Sequence, residues 1–254
     1  MRSLIGFRAL VWREIVRFLS VFTQTIFPPV VSSFLYIFIF GFSLGGRIEQ
    51  IHGVPYLHYL IPGLIMMYVI EGSYANTSSS LFISRWANYI EELLVTPLSY
   101  FEMVLAIIIG GLARCVVTVT GVYLVSLFFV RFPVAHPFIV LYFILGCSLV
   151  FSSLGMMVAL FAEEFEHLSL ATTFVITPLV FLGGVFHSIE MVPQSIRWLT
   201  VFNPMFYMIN GMRYGMLGVS DVPPGQCMIV VGASFIALFS ATVALFRSGF
   251  KLRK

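Results

Sequence analysis

Charge is what this sequence has least of. Only 10% of its 254 residues are Asp, Glu, Lys or Arg, against about 25% in an ordinary globular chain. Such a chain cannot cover a soluble surface, and with 59% hydrophobic residues, 27 of the total Phe, it is not a disordered one either. Lysine is scarcer still, present only as Lys251 and Lys254. Neither follows a glycine, so no G-x-x-x-x-G-K-[ST] phosphate loop can be drawn and the chain has no Walker-type ATP site of its own. Its three cysteines, at 115, 147 and 227, are too few for a disulfide scaffold and show no metal-site spacing. H-E-x-x-H, G-x-S-x-G and clustered aspartates are absent, which leaves a membrane protease, a lipase or a metal-dependent transferase without support. His52, His58, His136, His167 and His187 fall in or near loops, where interfacial hydrogen bonding accounts for them better than metal binding.

What the sequence has instead is long apolar runs, with a mean hydropathy of +1.00. A helix needs about 20 apolar residues to cross the hydrocarbon core. Residues 18–46, 132–162 and 222–246 carry no charge, 103–130 is broken only by Arg114, and 50–70 and 168–186 have none but histidine nearby. These runs predict an all-α integral membrane protein, a single domain over 1–254. Six spans fall at about 21–44, 56–79, 101–128, 137–161, 168–186 and 227–247. The apolar stretch 198–212 is too short to cross and follows Pro193. It reads as part of an outer re-entrant or interfacial helical pair between spans five and six.

Six spans put both termini on one side. Arg2, Arg8, Arg13, Arg17, Arg85, Arg247, Lys251, Arg253 and Lys254 fall on that side; Arg47, Arg131, Arg197 and Arg213 fall on the other. Excess Lys and Arg stay inside, so both ends are expected in the cytoplasm. The net charge of +3 is thus a topology signal, not a nucleic-acid footprint. The first run is 29 residues long and contains Pro28-Pro29, which separates it from a signal h-region of about 7–15 residues. Before it, residues 3–19 place Arg2, Arg13 and Arg17 on one helical face and Leu4, Val11, Ile15 and Leu19 on another, with Arg8 able to snorkel. That pattern predicts an amphipathic helix at the cytoplasmic interface; an ordinary basic flank is the plainer alternative.

Loops hold most of the remaining charge. Between spans two and three, Ile90, Leu93 and Leu94 repeat at helical spacing while Glu91 and Glu92 face elsewhere, with Arg85 and Trp86 just before and Pro97 as the stop. Such a helix can dock a partner or float at the head groups. The loop between spans four and five carries Glu163, Glu164 and Glu166 with no Lys or Arg, which suits either contact with a basic protein surface or plain solubility. Pro178 and Gly183-Gly184 loosen the end of span five. Asn203 before Pro204 is a good N-cap, and Pro193 and Pro204 each suit a first helical turn. Inside the spans stand Glu71 and Arg114. Intramembrane charges pose a functional hypothesis, and three readings compete: a mutual pair, separate snorkelling, and a substrate or proton role.

Taken together, these features resemble the membrane subunit of a type-2 ABC exporter. The resemblance rests on I-E-E-L-L-V-T-P-L at 90–98, P-L-V-F-L-G-G-V-F at 178–186, V-P at 192–193, N-P at 203–204 and Arg213. F-P-P-V at 27–30, P-G-L-I-M-M at 62–67 and R-Y-G-M-L-G at 213–218 are similar to the small bacterial permeases that pair with a separate ATPase. It covers essentially the whole chain. It implies an inner-membrane homodimer working with two copies of an ABC ATPase subunit, which would bind ATP and Mg; this chain would bind no cofactor, metal or nucleic acid. Residues 82–97 would form the main coupling helix, with Glu91 and Glu92 at the contact. Arg85, Ile90, Glu163, Glu164, Glu166 and the interfacial helix would complete that surface. Spans one, two and five would line the translocation path, capped by 188–217; Pro178, Gly183, Gly184, Asn203 and Pro204 would belong to the path or outer gate. Sparse charge and Gly- and Pro-interrupted spans favour an amphipathic or lipid-linked cargo, glycan or drug-like. A channel would be expected to show polar rings along a pore, which no span clearly supplies; a structural scaffold stays open.

Overall fold

Apolar helical runs punctuated by proline, and almost no strand signal, make this chain nearly all α. A computed structural model describes residues 2–43, 45–46, 48, 50–131 and 134–252. Arg47, Arg253, Lys254 and the Arg2 side chain, counted above for charge asymmetry, lie outside the described residues. The elements are α1 (Arg2–Ser20), α2 (Phe22–Thr25), α3 (Phe27–Ser43), α4 (Tyr56–Trp86), α5 (Tyr89–Val95), α6 (Tyr100–Ser126) and α7 (Pro137–Phe161). There follow α8 (Phe165–Ala171), a π turn (Thr172–Ile176), α9 (Thr177–Leu182), two 3-10 turns, α10 (Arg197–Val201), α11 (Pro204–Leu217) and α12 (Pro224–Ser248). A small antiparallel hairpin, β1 (Gln50–Ile51) and β2 (Val54–Pro55), precedes α4.

Local chemistry sets the boundaries. Pro137, Pro204 and Pro224 open their helices where a missing N–H costs nothing. Ser99 and Glu102 form a capping box that starts α6. Thr96 is extended before Pro97, so α5 stops at Val95. The expected continuous helix over 82–97 is not observed. Asn88 takes a left-handed conformation, φ +60°, and divides it, so Arg85 and Trp86 end α4 while Ile90, Glu91 and Glu92 lie on α5. The helix over the expected second span is correspondingly longer, running to Trp86, and the expected first span is divided at Ile26 into α2 and α3. The expected fifth span ends at Leu182 and contains the π turn.

Register fixes the relative directions of the helices. Ser73 donates to Ser148 Oγ at 2.9 Å and Thr77 to the Ser152 carbonyl at 2.9 Å, so α4 and α7 run parallel. Tyr142 meets Met228 and Thr242 meets Ser153, so α7 and α12 are parallel as well. Contacts of Gly111 with Thr77, and of Arg114 with Thr25, place α6 alongside α4 and the end of α2. α11 lies against α4, α7 and α12. Its Gly211 meets Phe143 and its Gly215 meets Val140, so it runs antiparallel to α7 from within the bundle towards the hairpin end.

Five helical segments, α2–α3, α6, α7, α8–α9 and α12, are long and apolar enough to cross a membrane. α4, with 31 residues, is long enough but not among them. Ser73, Asn76, Thr77, Ser78 and Ser80 lower its hydropathy, and all are buried. A helix surrounded by protein can carry such groups because neighbouring helices, not lipid, satisfy them. The main core is built around α4, with a second cluster at the α5 end from Leu10, Leu81, Ile90, Leu93, Ile107 and Leu160.

Candidate functional sites

Four polar constellations stand out against this apolar background. At the α5 end, Ile90 and Leu93 are buried in the second core while Glu91 and Glu92 are exposed. Ile90 therefore seats the helix instead of facing outward. The Arg85 guanidinium donates to the Ala159 and Ala162 carbonyls and caps α7, a position favourable to a cation. Next to it, Phe82, Ile83, Trp86 and Phe165 floor a groove of about 450 Å³ whose lip is Glu163, Glu164 and Glu166. Tertiary folding thus brings the end of α4 and the acidic loop, 77 residues apart in the Arg85–Ala162 contact, onto one surface. Lys251 reaches Glu163 at 3.3 Å from the other end of the chain.

α1 packs on this bundle through Leu10, Glu14 and Phe18. The expected apolar stripe is only partly the packed one: Leu4 and Leu19 are exposed, with Ile5, Trp12 and Val16 beside them, and Val11 and Ile15 are half-buried. Glu14, fully buried, accepts from Arg13 at 2.8 Å, Arg17 at 3.2 Å and Ser80 at 2.6 Å. Arg17 continues to the Asn76 carbonyl at 2.8 Å and its side-chain oxygen at 3.0 Å. This clamp was not anticipated. The signal was present, since Glu14 lies four residues from both Leu10 and Phe18 and so on their stripe.

Within the bundle, Glu71 and Arg114 line one cavity but do not form the ion pair that was one of the expected alternatives. No N–O approach within 4.0 Å joins them. Arg114 donates to the Thr25 carbonyl at 3.2 Å, and Glu71 accepts from Thr177 at 3.4 Å.

The hairpin end holds the fourth constellation. Arg213 of α11 is fully buried, 3.7 Å from the Tyr59 ring centroid, and donates to the carbonyls of Tyr59, Gly184 and Val185. Gly184 has φ +87°, which presents its carbonyl to Arg213 in a conformation that favours glycine. Gly183 closes α9 beside Ile209, and Pro178 lies in the first turn of α9. Asn203 caps α11 through Met205 N at 3.0 Å and donates to the Leu179 carbonyl, with Pro204 following as the first helical residue. Asp221 gathers His52 at 2.6 Å, Ser188 at 2.8 Å and Ile189 N at 3.3 Å. Burial, then the Arg213 charge, holds the His187 ring below its ordinary pKa of 6.5, with Asp221 opposing.

Ser188, His52 and Asp221 have the residue types of a hydrolytic triad but not its geometry. Serine and aspartate meet the same ring nitrogen, Nε2, and serine bonds the aspartate directly. A triad needs the ring to face each through a different nitrogen. The cluster is a hydrogen-bonded latch tying the hairpin to the segment before α12. Among the described residues no group of three His, Cys, Asp or Glu side chains is placed to hold a metal ion.

Apolar outer faces, a polar seam along α4 and charges gathered mainly towards the two ends define a membrane-embedded helical protein. Residues 5–217 match the family described as ABC-2 type transporter. The inner membrane transport permease YadH of Escherichia coli (strain K12) is 40% identical over 244 residues, covering 96% of this chain and 95% of that one. Nodulation protein J of Rhizobium meliloti (strain 1021) is 25% identical over 93% of this chain and 91% of its own. That of Neorhizobium galegae is 27% identical over 90% of each. The chain belongs to the ABC-2 type transporter family.

Proposed function

We propose that this chain is the transmembrane subunit of an ATP-driven exporter, working as a homodimer with two separate ATPase subunits in a bacterial inner membrane. The reading takes residues 1–254 as one transmembrane domain with six crossings, α4 being the second in the chain and the central one. At about 1.5 Å per residue α4 extends about 46 Å, more than the hydrocarbon core. The shared direction of α4, α7 and α12 agrees with their being the even-numbered of six crossings, and α10–α11 then form the re-entrant pair, since α11 starts inside the bundle. Both termini face the cytoplasm, on the charge asymmetry, and α1 lies in the inner interface.

The observation that carries the coupling role is α5 with its neighbouring groove. Ile90 and Leu93 root the helix in the core while Glu91 and Glu92 stay free, beside the acidic lip of Glu163, Glu164 and Glu166. A rooted helix with a free acidic face can receive a push from a basic cleft and pass it to α4 and α6. ATP and Mg belong to the ATPase; the permease supplies the moving path, lined by α3, α4 and α8–α9 with Pro178, Gly183, Gly184, Asn203 and Pro204 near its outer end. ATP binding biases a two-state element, as coupled transport requires. Few intramembrane charges suit an amphipathic or lipid-linked cargo.

The test is whether the full-length chain pulls a Walker-type ATPase from membranes. Glu91→Arg with Glu92→Arg should reduce recovery of that ATPase at least about tenfold, as reversed interface charges do, while the permease elutes as a folded species. Unchanged recovery together with unchanged cargo-stimulated ATP turnover would reject the coupling role.

A further inference from the structure

The cavity between α2–α3, α4, α6 and the π turn holds about 340 Å³, on the order of ten water volumes. Its walls include Gln24, Pro28, Tyr68, Glu71, Arg114 and Thr172. Two features mark it as a ligand site instead of a packing gap. Opposite charges line it without neutralising one another, each held by a neutral group: Arg114 by the Thr25 carbonyl and Glu71 by the Thr177 hydroxyl. The buried Nε of Arg114 has no hydrogen-bond partner at all. An unmatched donor and an unpaired carboxylate in low dielectric are both costly, so the arrangement suits a guest that carries both signs.

Position narrows the guest. α1 meets α4 at Ser80 and α6 at Gly110 through Glu14. Arg114 lies one helical turn beyond Gly110, and Glu71 nine residues from Ser80, about 6 and 13 Å deeper. The mouth is formed by exposed Gln24 and Pro28 at the start of α2–α3. The cavity thus opens sideways just below the level of the amphipathic helix, where a lipid head group in the same leaflet can reach it. Arginine recognises phosphate through charge-assisted hydrogen bonds, and a carboxylate, being acceptor-only, takes N–H donors.

We propose that this cavity binds a phosphoethanolamine head group, its phosphate on Arg114 and its ammonium on Glu71. Phosphocholine offers no N–H to Glu71, and phosphoglycerol offers no cation. The site requires only that the chain be embedded in a bilayer, so its failure leaves the exporter reading standing.

Gly72 supplies a test that does not depend on removing either charge. It lines the cavity, and a Cβ built there meets nothing within 4 Å. Gly72→Leu extends into the cavity from a Cβ that has open space and favours the helix. The full-length permease, delipidated in detergent, is mixed with phosphatidylethanolamine, phosphatidylcholine and phosphatidylglycerol of identical chains, and bound lipid is counted by native mass spectrometry. The wild type retains phosphatidylethanolamine about tenfold over either competitor, the discrimination of one charge-assisted hydrogen bond. Glu71→Gln and Gly72→Leu each reduce that preference to near parity, and Arg114→Gln lowers the retention of all three lipids, whose phosphate it would hold in common. A wild type without head-group preference overturns the proposal, and so does a folded Gly72→Leu protein that keeps it.

Discussion

Glu14 is the residue whose surroundings say most about how the amphipathic helix is attached. Its carboxylate takes hydrogen bonds from two arginines of its own helix and from Ser80 of α4, while Gly110 of α6 leaves room for its stem. A buried charge is tolerable only when matched in this way. Glu14→Ala leaves Arg17 its Asn76 contacts but removes the bond to Ser80 and opens a void. The expected cost is about 1.5–3 kcal/mol, the range for hydrogen bonds to a charged group. Urea unfolding in micelles and the rate of tryptic cleavage within α1 both read it, and cleavage should accelerate before the bundle unfolds. Arg213 at the opposite end is also buried, under Tyr59 with three carbonyls as acceptors, and of its guanidinium nitrogens only Nη1 lacks a partner among the described residues. Sequence reasoning placed Arg213 on the outer side and in a family motif but could not name its partners, which come from α4 and from the turn after α9.

At the scale of elements, α5 shows how a short helix is held without much helical stability of its own. It has seven residues, too few to persist alone. Burial of Ile90 and Leu93, the αL turn at Asn88 and the stop at Pro97 define it. Asn88→Ala removes the short polar side chain that lets asparagine tolerate a left-handed conformation and should cost about 1 kcal/mol, whereas Asn88→Gly should be near neutral. Thermal unfolding of the two variants side by side checks this, and equal midpoints for both would contradict it. The periodicity of Ile90, Leu93 and Leu94 and the proline stop were legible in the residues. The break at Asn88 was not, because asparagine is equally at home in a turn, a cap or an exposed helix, and only the burial of Ile90 and Leu93 in the second core selects one.

For the whole molecule, α4 is the axis on which everything else is arranged. Its Ser- and Thr-bearing half meets α7 and α6 so closely that a Cβ at Gly155 would lie 2.5 Å from Thr77 Oγ1 and 2.6 Å from the Tyr74 carbonyl. Small residues allow this approach, and in lipid close packing replaces the hydrophobic drive between helices. Gly155→Leu should therefore push α4 from α7 at a cost of about 1–3 kcal/mol and loosen the α5 surface attached to α4. A lower unfolding midpoint with faster hydrogen exchange in α5 is the expected outcome; a bundle as stable as the wild type would show that the contact is not tight. Composition and run length by themselves determined that the chain is helical, lives in lipid and lacks a phosphate loop, because those properties depend on averages and on local spacing. They also marked Pro97, Asn203 and Pro204, whose effects act within a few residues. Only the tertiary structure decided that Ile90 faces inward, that Glu71 and Arg114 share a cavity without pairing, and that Glu14 and Asp221 anchor the two ends. Scarce charge first indicated a membrane protein; where each of those few charges finds or lacks a partner depends on segments that meet only when the bundle closes.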